Sequence, residues 1–217
     1  MGINLNNMKT KLVVGIPTIN RADLLNDALA KYFEDFKNTE IAICDNGNQD
    51  IITREKKFMI YKPQANLGVS GSWNMIMDYA DKIGGTHVLM LNDDIYLGKT
   101  EEQIVRMIEL FSQNDFYNSL MNWSAWVLSV KAWKKVGNFD ENFFPAYFED
   151  NDYCYRMRLN QIERLNTDYL NPVIYRNSQT IEKDPSLNSR FMNNRQYYAS
   201  KWGGLPNEET FKKPFNQ

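Results

Sequence analysis

The chain has 217 residues, of which 43% are hydrophobic and 24% charged, and its formal net charge is −2. This length is sufficient for one substantial hydrophobic core, so we expect a single domain that spans residues 1–217. The chain lacks the basic excess that binding to a phosphate backbone needs, which argues against a nucleic-acid partner. No apolar run approaches the roughly 20 residues that span a bilayer, and the N-terminus does not resemble a signal peptide, so we expect a cytoplasmic protein without a membrane span.

The first half of the chain alternates apolar strands with amphipathic helices. A β-branched run within residues 11–20 predicts a buried parallel strand that ends at Pro17. Apolar residues from Leu25 to Phe36 then recur at helical spacing, and Asn20 stands where an N-cap would. Three further strands are expected, within residues 39–47, 56–63 and 87–91. A glycine-containing loop that leads into a helix separates the last two strands.

The second half begins after another helix and is less regular. Thr100 and Gln103 have the spacing of a capping box for that helix. The sequence then becomes aromatic and rich in acids, with a helix expected around residues 150–160, and a last helix is expected to start near Pro185 and to stop at Gly203. Four strands that alternate with helices predict the α/β class, with an open, mostly parallel central sheet and helices on both faces.

The fourth predicted strand runs directly into Asn92, Asp93 and Asp94. Ligands of open parallel sheets bind in the crevice outside the carboxyl ends of the strands, so we expect these acids to face that crevice. Two adjacent carboxylates are costly to bury unless a positive charge compensates them, and a divalent cation that bridges them to a diphosphate would do so. In the alternative interpretation, one Asp caps the next turn and the other faces water.

Six short motifs occur in the order and spacing typical of one enzyme family. They are VVGIPTINR at 13–21, ICDNG at 43–47, NLGVSGSWN at 66–74, LMLNDDIYL at 89–97, GNFDENFFPAYFEDNDYCYR at 137–156 and SKWGG at 200–204. On these motifs the chain resembles a family 2-like glycosyltransferase of the GT-A fold, over about residues 11–205. The resemblance implies an inverting hexosyltransferase that uses a nucleotide diphosphate sugar, most often a uridine diphosphate (UDP) sugar, with Mn²⁺ or Mg²⁺ as the cofactor. It also implies a nucleotide-binding half at about 11–114, and a half at about 115–205 that is catalytic and binds a glycan, glycoprotein or glycolipid acceptor.

The resemblance assigns part of the donor site to the ends of the first two strands. Pro17 and Thr18, with Arg21 just beyond, match the family's loop that holds the base and the ribose. Asp45 matches the acid that hydrogen-bonds to the base or the ribose. An Asx turn in the DNG sequence explains Asp45 equally well.

Two further segments complete the matched donor site. Asn66 and Gly68 match a loop in which glycine lets the backbone approach a nucleotide, although a glycine in a plain turn would look the same. Asp94 matches the metal ligand of the family's DXD motif, and Asp93 matches the neighbouring acid, which contacts the ribose or a metal-bound water. Asn92 replaces the motif's usual first Asp. Its amide can still hydrogen-bond to the nucleotide, but the local negative charge falls by one, so we expect weaker metal binding.

The resemblance places the catalytic groups in the acid-rich segment. Asp150 matches the family's general base, which takes the proton of the acceptor hydroxyl, and Glu149 would orient acceptor or sugar hydroxyls. The alternative role for Asp150 is a helix N-cap. Asp152 lies four residues before Arg156, a spacing that predicts an ion pair. Trp123 is a candidate wall of the sugar pocket, with core packing as the alternative.

The chain departs from the family after its last core strand. Many relatives have a histidine there as a ligand of the metal or the diphosphate, whereas this chain has Tyr175 and Arg176. Our hypothesis is that Arg176 contacts the diphosphate and neutralises part of its charge, with a surface ion pair as the alternative. The single histidine, His87, starts the fourth strand at the end far from Asp94, so we expect a structural role for it.

Other classes of function fit the sequence less well. A catalytically inactive module that binds nucleotide sugars or glycans would keep the same pocket, and it stays open as an alternative. A nucleotidyltransferase typically needs a glycine-rich, basic loop after the first strand, and PTINRAD at 17–23 is not one. A phosphatase of this architecture needs an Asp where the chain has Pro17 and Thr18, and a dinucleotide oxidoreductase needs a G-x-G-x-x-G sequence after that strand.

Overall fold

The structure is a computed structural model, and it describes residues 9–52, 58–176 and 190–217. The strands are β1 (Leu12–Thr18), β2 (Glu40–Asp45), β3 (Phe58–Tyr61), β4 (His87–Leu91), β5 (Ile95–Tyr96), β6 (Phe116–Ser119), β7 (Ala125–Ser129), β8 (Arg164–Thr167) and β9 (Ile174–Tyr175). The α-helices are α1 (Ala22–Asp35), α2 (Gly68–Lys82), α3 (Glu101–Leu110), α4 (Val130–Val136), α5 (Glu149–Leu159) and α6 (Phe191–Trp202). Short 3₁₀ helices cover Asp168–Leu170 and Pro214–Asn216.

Seven strands of the described part of the chain form one mixed sheet, in the order β3-β2-β1-β4-β7-β6-β8. Strands β3, β2, β1 and β4 are parallel, β7 runs antiparallel to both β4 and β6, and β8 is parallel to β6. Strands β5 and β9 form a separate antiparallel pair. The predicted α/β class with a mostly parallel central sheet is therefore confirmed. The parallel strands end at one edge of the sheet, where β1 stops at Thr18 and β4 at Leu91.

Apolar side chains form a core on each face of this sheet. Successive residues of β1 point to opposite faces, so Val14 joins the core beneath α1 and α3, and Val13 joins the core beneath α2, α4 and α5. Tyr32 of α1 is fully buried in the first core, and Trp73 of α2 lies in the second. Helices therefore cover both faces, as predicted. None of the helices in the described ranges is long and apolar enough to cross a membrane.

Two of the predicted helix starts can be compared with the structure. The capping box of α3 is confirmed, because the Thr100 side chain accepts from the Gln103 backbone and the Gln103 side chain accepts from the Thr100 backbone. The N-cap expected at Asn20 is wrong by one residue, since α1 is preceded by Arg21. Asn20 instead has a left-handed backbone, with a φ of 54°, in the turn between β1 and α1.

The last helix, α6, packs on α5 and on the segment before it. Tyr198 and Trp202 of α6 form a third apolar cluster with Phe143 and Tyr155. The predicted stop at Gly203 is confirmed, because this residue takes the left-handed conformation, with a φ of 70°, that ends many helices. The start expected at Pro185 lies outside the described residues.

His87 begins β4 at the edge opposite the acids, and burial lowers its pKa to about 4 although the negative charge of Asp115 acts in the other direction. An unfolded histidine has a pKa of about 6.5, so the unfolded chain binds a proton between about pH 4 and pH 6.5 that the folded chain does not. Above pH 6.5 the buried neutral His87 therefore does not lower the free energy of unfolding. As the pH falls from 6.5 towards 4, protonation of the unfolded chain lowers this free energy by a total of about 3 kcal/mol.

We expect His87→Gln to flatten this part of the stability profile. Urea unfolding at pH 7.5 and pH 4.5 should show a smaller loss of unfolding free energy in the variant than in the wild type. Equal losses in the two proteins would show that His87 is already protonated in the folded state or does not titrate in this window.

Candidate active site

A cavity of about 170 Å³ opens at the edge of the sheet where β1 and β4 end. Its lining residues are Pro17, Thr18, Ile19, Asn46, Asn66, Gly68, Val69, Ser72, Asn92, Asp93, Asp94, Pro145 and Ala146. The structure thus brings together seven of the residues that the sequence placed in the donor site. Three of them, Asn92, Asp93 and Asp94, form the break between β4 and β5.

The two acids at the end of β4 are both buried. Asp93 is 7% exposed and Asp94 is 5% exposed, and the hydroxyl of Thr18 donates to Asp93 Oδ2 over 2.7 Å. Arg21 is buried near these two acids. Its pKa is raised first by its hydrogen bond to Asp23, and also by the negative charges of Asp93 and Asp94. Arg21 is outside the cavity lining, so its contact with a base or ribose stays a prediction. The acids thus lie near the positive charge of Arg21 and face a cavity.

The donor set at this edge fits a hard divalent cation. Asp93 and Asp94 offer carboxylate oxygens, the ligands that Mg²⁺ and Mn²⁺ prefer. Within the described ranges, no group of three or more His, Cys, Asp or Glu residues could hold a metal ion by itself. Mg²⁺ is commonly held by one or two carboxylates together with waters and the phosphates of a bound molecule.

Asp45 ends β2 but does not line the cavity. Its Oδ1 accepts from the backbone N–H of Gly47 (3.1 Å), and its Oδ2 accepts from the backbone N–H of Gln49 (2.6 Å). The structure therefore shows the turn that the Asx interpretation describes, and contact of Asp45 with a base or ribose stays a prediction. The adjacent Asn46, which the sequence analysis missed, lines the cavity and donates to the hydroxyl of Ser72 over 2.8 Å.

Gly68 begins α2 with a φ of 67°. A Cβ at this position would lie 2.7 Å from the carbonyl oxygen of Pro145, and the backbone N–H of Val69 donates to that same oxygen over 2.8 Å. Asn66 accepts from the backbone N–H of Gly68 over 2.8 Å and so fixes the turn. The glycine is therefore required because another stretch of protein backbone approaches it, at a position that also lines the cavity.

Glu149 and Asp150 are the first two residues of α5. Burial, and then the negative charge of Asp150, raise the pKa of Glu149 well above its usual value, and Glu149 Oε2 has no hydrogen-bond partner among the residues that the structure describes. Burial also raises the pKa of Asp150, and the positive charge of Arg164 partly opposes this. The N-cap alternative for Asp150 is wrong, because Phe148 is the N-cap residue of α5. Neither carboxylate lines the cavity, whose wall ends three residues earlier in the chain, at Ala146.

Trp123 belongs to an aromatic cluster beside β7. It stacks on Trp73 with a centroid distance of 5.7 Å and contacts Phe116 and Trp126 at 5.0 and 5.4 Å. Trp126 is fully buried, so core packing accounts for it. Trp123 is partly buried and is not part of the cavity lining, and its role as a sugar-pocket wall stays a prediction.

Arg176 follows β9 and lies beside the acids without facing the main cavity. Its guanidinium pairs with Asp27 of α1 over 3.2 Å, and its backbone N–H donates to the carbonyl oxygen of Asp94 over 3.3 Å. Both side chains line a second, much smaller cavity of about 20 Å³, to which Asp94 also contributes. The ion-pair alternative is the arrangement that the structure shows, and contact with a diphosphate stays a prediction.

The fold is similar to that of solved nucleotide-sugar transferases. Mannosyltransferase PcManGT from Pyrobaculum calidifontis, solved with GDP-Man and Mn²⁺, aligns with a TM-score of 0.66 at 10% identity over 92% of this chain and 66% of that one. Residues 1–349 of TarS from S. aureus align with a TM-score of 0.55 at 13% identity over 73% of this chain and 58% of that one. The TarS 1–349 structure with UDP-GlcNAc aligns with a TM-score of 0.52 at 12% identity over 73% and 56%.

These identities establish the GT-A fold alone, and the chain spans 56 to 66% of the length of the three structures. A comparison with curated proteins finds no significant sequence match. The family model described as Glycosyl transferase family 2, in contrast, matches residues 13–175. This match covers three quarters of the 217 residues and includes every residue of the cavity wall together with Glu149 and Asp150. The chain therefore belongs to glycosyl transferase family 2.

Proposed function

We propose that this protein transfers a sugar from a nucleotide diphosphate donor, with UDP-sugars as the preferred class, to a hydroxyl group of a glycan, glycoprotein or glycolipid. The observation that carries the proposal is the cavity at the strand ends, where polar groups of Thr18 and Asn66 meet the two buried acids. A sugar nucleotide presents a base, a ribose and a diphosphate, and this wall offers hydroxyl and amide groups beside a carboxylate pair. The family membership supports the same reaction class.

The donor would lie along the carboxyl ends of β1, β2 and β4. Asp94 and Asp93 would hold Mn²⁺ or Mg²⁺, which when bound neutralises negative charge on the diphosphate leaving group. Thr18 keeps the Asp93 carboxylate in place through its 2.7 Å hydrogen bond. Asn46 and Asn66, which line the same cavity, would offer amide groups to the base and ribose.

Asp150 would act as the general base. The acceptor hydroxyl loses its proton to the Asp150 carboxylate as its oxygen attacks the anomeric carbon. The bond from that carbon to the diphosphate oxygen breaks on the opposite face, so the configuration inverts in one displacement. The raised pKa of Asp150 supports this role, because a stronger base takes the proton more readily.

One observation favours a second candidate, a module that binds nucleotide sugars without turning them over. Neither Glu149 nor Asp150 lines the cavity, whereas the acids expected to bind the donor do. Donor hydrolysis or transfer, measured beside donor binding, separates the two candidates. Binding with no release of UDP under any acceptor condition would support the module.

The donor site is tested by thermal shift with UDP and GDP, each with and without Mn²⁺. We expect UDP with Mn²⁺ at about one hundred times its dissociation constant to stabilise the protein by about 2.7 kcal/mol, which corresponds to a rise in Tm of roughly 5–10 °C. Asp94→Asn should lose the part of the shift that depends on Mn²⁺, because the amide is a much poorer ligand for the ion.

Asp78→Asn is the matched control for the thermal shift, since Asp78 lies on the exposed side of α2 in an ion pair with Lys82. This variant should keep the whole shift. No stabilisation by any nucleoside diphosphate, with or without the metal, would remove the support for a nucleotide-sugar enzyme.

A further inference from the structure

The segment 144–148 connects the cavity to the two carboxylates of α5. Pro145 and Ala146 line the cavity, and Tyr147 and Phe148 follow with φ angles of 78° and 71°. Two consecutive left-handed residues that are not glycine are unfavourable by about 1–2 kcal/mol each. Such a conformation persists only where the surrounding structure imposes it.

The direction of α5 depends on this turn. The carbonyl oxygen of Phe148, its N-cap residue, accepts the first helical hydrogen bond from the backbone N–H of Asp152 over 2.9 Å. A change in the backbone angles of Phe148 would therefore rotate the first turn of the helix. Glu149 and Asp150 belong to that turn, so their carboxyl groups would move with it.

A buried amide of α6 holds the segment. Asn194 is 3% exposed, and its Nδ2 donates to the carbonyl oxygen of Ala146 over 2.8 Å. The same nitrogen lies 3.3 Å from the carbonyl oxygen of Tyr147 and 3.4 Å from that of Phe144. The amide nitrogen of one side chain thus lies within hydrogen-bonding distance of three carbonyl oxygens in a turn whose own backbone is strained.

Aromatic contacts from the same face of α6 support this amide. Phe191 packs edge to face against Tyr147 at 5.2 Å and lies 5.4 Å from the ring of Phe148. The ring of Tyr198 lies 5.7 Å from that of Phe148. Phe191, Asn194 and Tyr198 are spaced at i, i+3 and i+7, so they share one helical face.

We propose that Asn194 is a positioning residue that holds segment 144–148 in its strained conformation and thereby places Glu149 and Asp150 for the reaction. The inference rests on the proposed function, and it adds to it a residue that acts through the backbone. Asn194 lies beyond the matched residues 13–175, so membership of the family does not assign it a role.

The test compares Asn194→Ala and Asn194→Asp with Asn193→Ala. Asn193 precedes Asn194 on the same helix but is exposed, so its replacement controls for changes in helix propensity. Loss of the Asn194 donor should speed the exchange of the Val69 and Asp152 amide protons by about tenfold in NMR, because these protons bond to Pro145 and Phe148 of the same segment. Asn193→Ala should leave both exchange rates at the wild-type value.

Turnover and nucleotide binding are measured on the same preparations. We expect kcat per UDP-binding site to fall by about 10- to 100-fold in both Asn194 variants, because a displacement of about 1 Å at catalytic groups can lower a rate to that extent. The dissociation constant for UDP should change by less than about threefold, a small factor beside the expected loss of turnover. If Asn194 only stabilised the fold, its replacement would instead lower the number of protein molecules that bind UDP, and kcat per binding site would stay unchanged.

The proposal is overturned if the Asn194 variants match Asn193→Ala in kcat per site, whether or not the amide protons exchange faster. It is also overturned if exchange at Val69 and Asp152 is unchanged while turnover falls, since the loss would then not pass through the segment. A wild-type protein that binds UDP but transfers no sugar would contradict the proposed function instead. In that case the exchange rates alone would still decide whether Asn194 holds the segment.

Discussion

Asp150→Asn is expected to lower the rate of sugar transfer by about 10²- to 10⁴-fold while leaving the affinity for UDP nearly unchanged. Asn has the same shape as Asp but cannot take a proton from the acceptor hydroxyl. Donor binding should survive because the Asp150 side chain is not part of the cavity wall. Steady-state kinetics at saturating donor, combined with calorimetric titration of UDP and Mn²⁺, measures both quantities.

The pH dependence of the transfer rate is a second test of Asp150 as the general base. Burial raises the pKa of Asp150 and of Glu149, and the two groups titrate together. A general base must be deprotonated, so the wild-type rate should rise as the pH increases through the raised pKa values of the pair and then level off. The residual activity of Asp150→Asn should lose this dependence or have it moved to a different pH.

Two variants complete the comparison. Asp78→Asn, an exposed Asp to Asn change on α2, should leave both rate and pH profile at wild-type values. Glu149→Gln removes the neighbouring carboxyl group, whose pKa is raised by burial and by the charge of Asp150, so the rate of this variant should rise with pH in a single step that belongs to Asp150. Full activity in Asp150→Asn would disqualify Asp150 as the base and would direct attention to Glu149.

The sequence predicted the part of the site that follows regular strands. Thr18 ends β1 and Asp94 lies three residues after the end of β4, and the carboxyl ends of parallel strands share one edge of the sheet. Positions of this kind are set by local pattern and by the sheet itself. The capping box at Thr100 was equally predictable because both partners lie within one turn of helix.

Residues placed by irregular segments could not be predicted in the same way. Asp45 and Asn46 are neighbours in a turn. Because of the path of the backbone in this turn, Asn46 lines the cavity, whereas Asp45 accepts hydrogen bonds from its own loop. The residue types alone do not indicate this difference. Pro145 and Ala146 reach the cavity only because the segment before α5 crosses over Gly68. Asn194 gave no signal at all, since its partners are backbone carbonyl groups that any sequence would offer.

The strands of the second half were missed for a related reason. Strands β6, β7 and β8 lie in the aromatic second half of the chain, where strands and helices no longer alternate regularly. The antiparallel pairing of β7 with β4 brings this stretch into the central sheet. Such a pairing depends on contacts between residues far apart in the chain, which local periodicity does not encode.

The helix-end ion pair predicted between Asp152 and Arg156 is confirmed, with 2.8 Å between Arg156 Nε and Asp152 Oδ2, and it is part of a larger buried network. Lys201 of α6 also pairs with Asp152 Oδ1 over 2.6 Å and with Asp140 Oδ2 over 2.6 Å. The indole N–H of Trp202 donates to Asp152 as well, over 2.8 Å. This network joins α6 to the first turn of α5.

Lys201→Met should therefore lower the free energy of unfolding by about 3–5 kcal/mol, because it removes one cation from a network that keeps the buried carboxylate of Asp152 and the partly buried carboxylate of Asp140. Methionine fills a similar volume, so a cavity contributes little to the expected loss. Urea unfolding at pH 7 measures the effect. Lys82→Met is the matched control, since Lys82 is 71% exposed in an ion pair with Asp78 and should change stability by at most about 0.5 kcal/mol.

The free energy of unfolding, measured as the pH is lowered, shows how strongly the Asp140 carboxylate depends on Lys201. Burial alone would raise the pKa of Asp140, but its hydrogen bonds to Lys201 and Asn142 and the charge of Lys201 lower it overall. A carboxyl group with a lowered pKa stabilises the fold above its unfolded pKa, and this contribution is lost as the pH falls through the folded value. Without Lys201 the pKa of Asp140 should rise, so Lys201→Met should lose less stability than the wild type as the pH falls through the acid range, and the gap between the two profiles should narrow. Parallel profiles at a constant offset would instead show that the loss does not pass through Asp140.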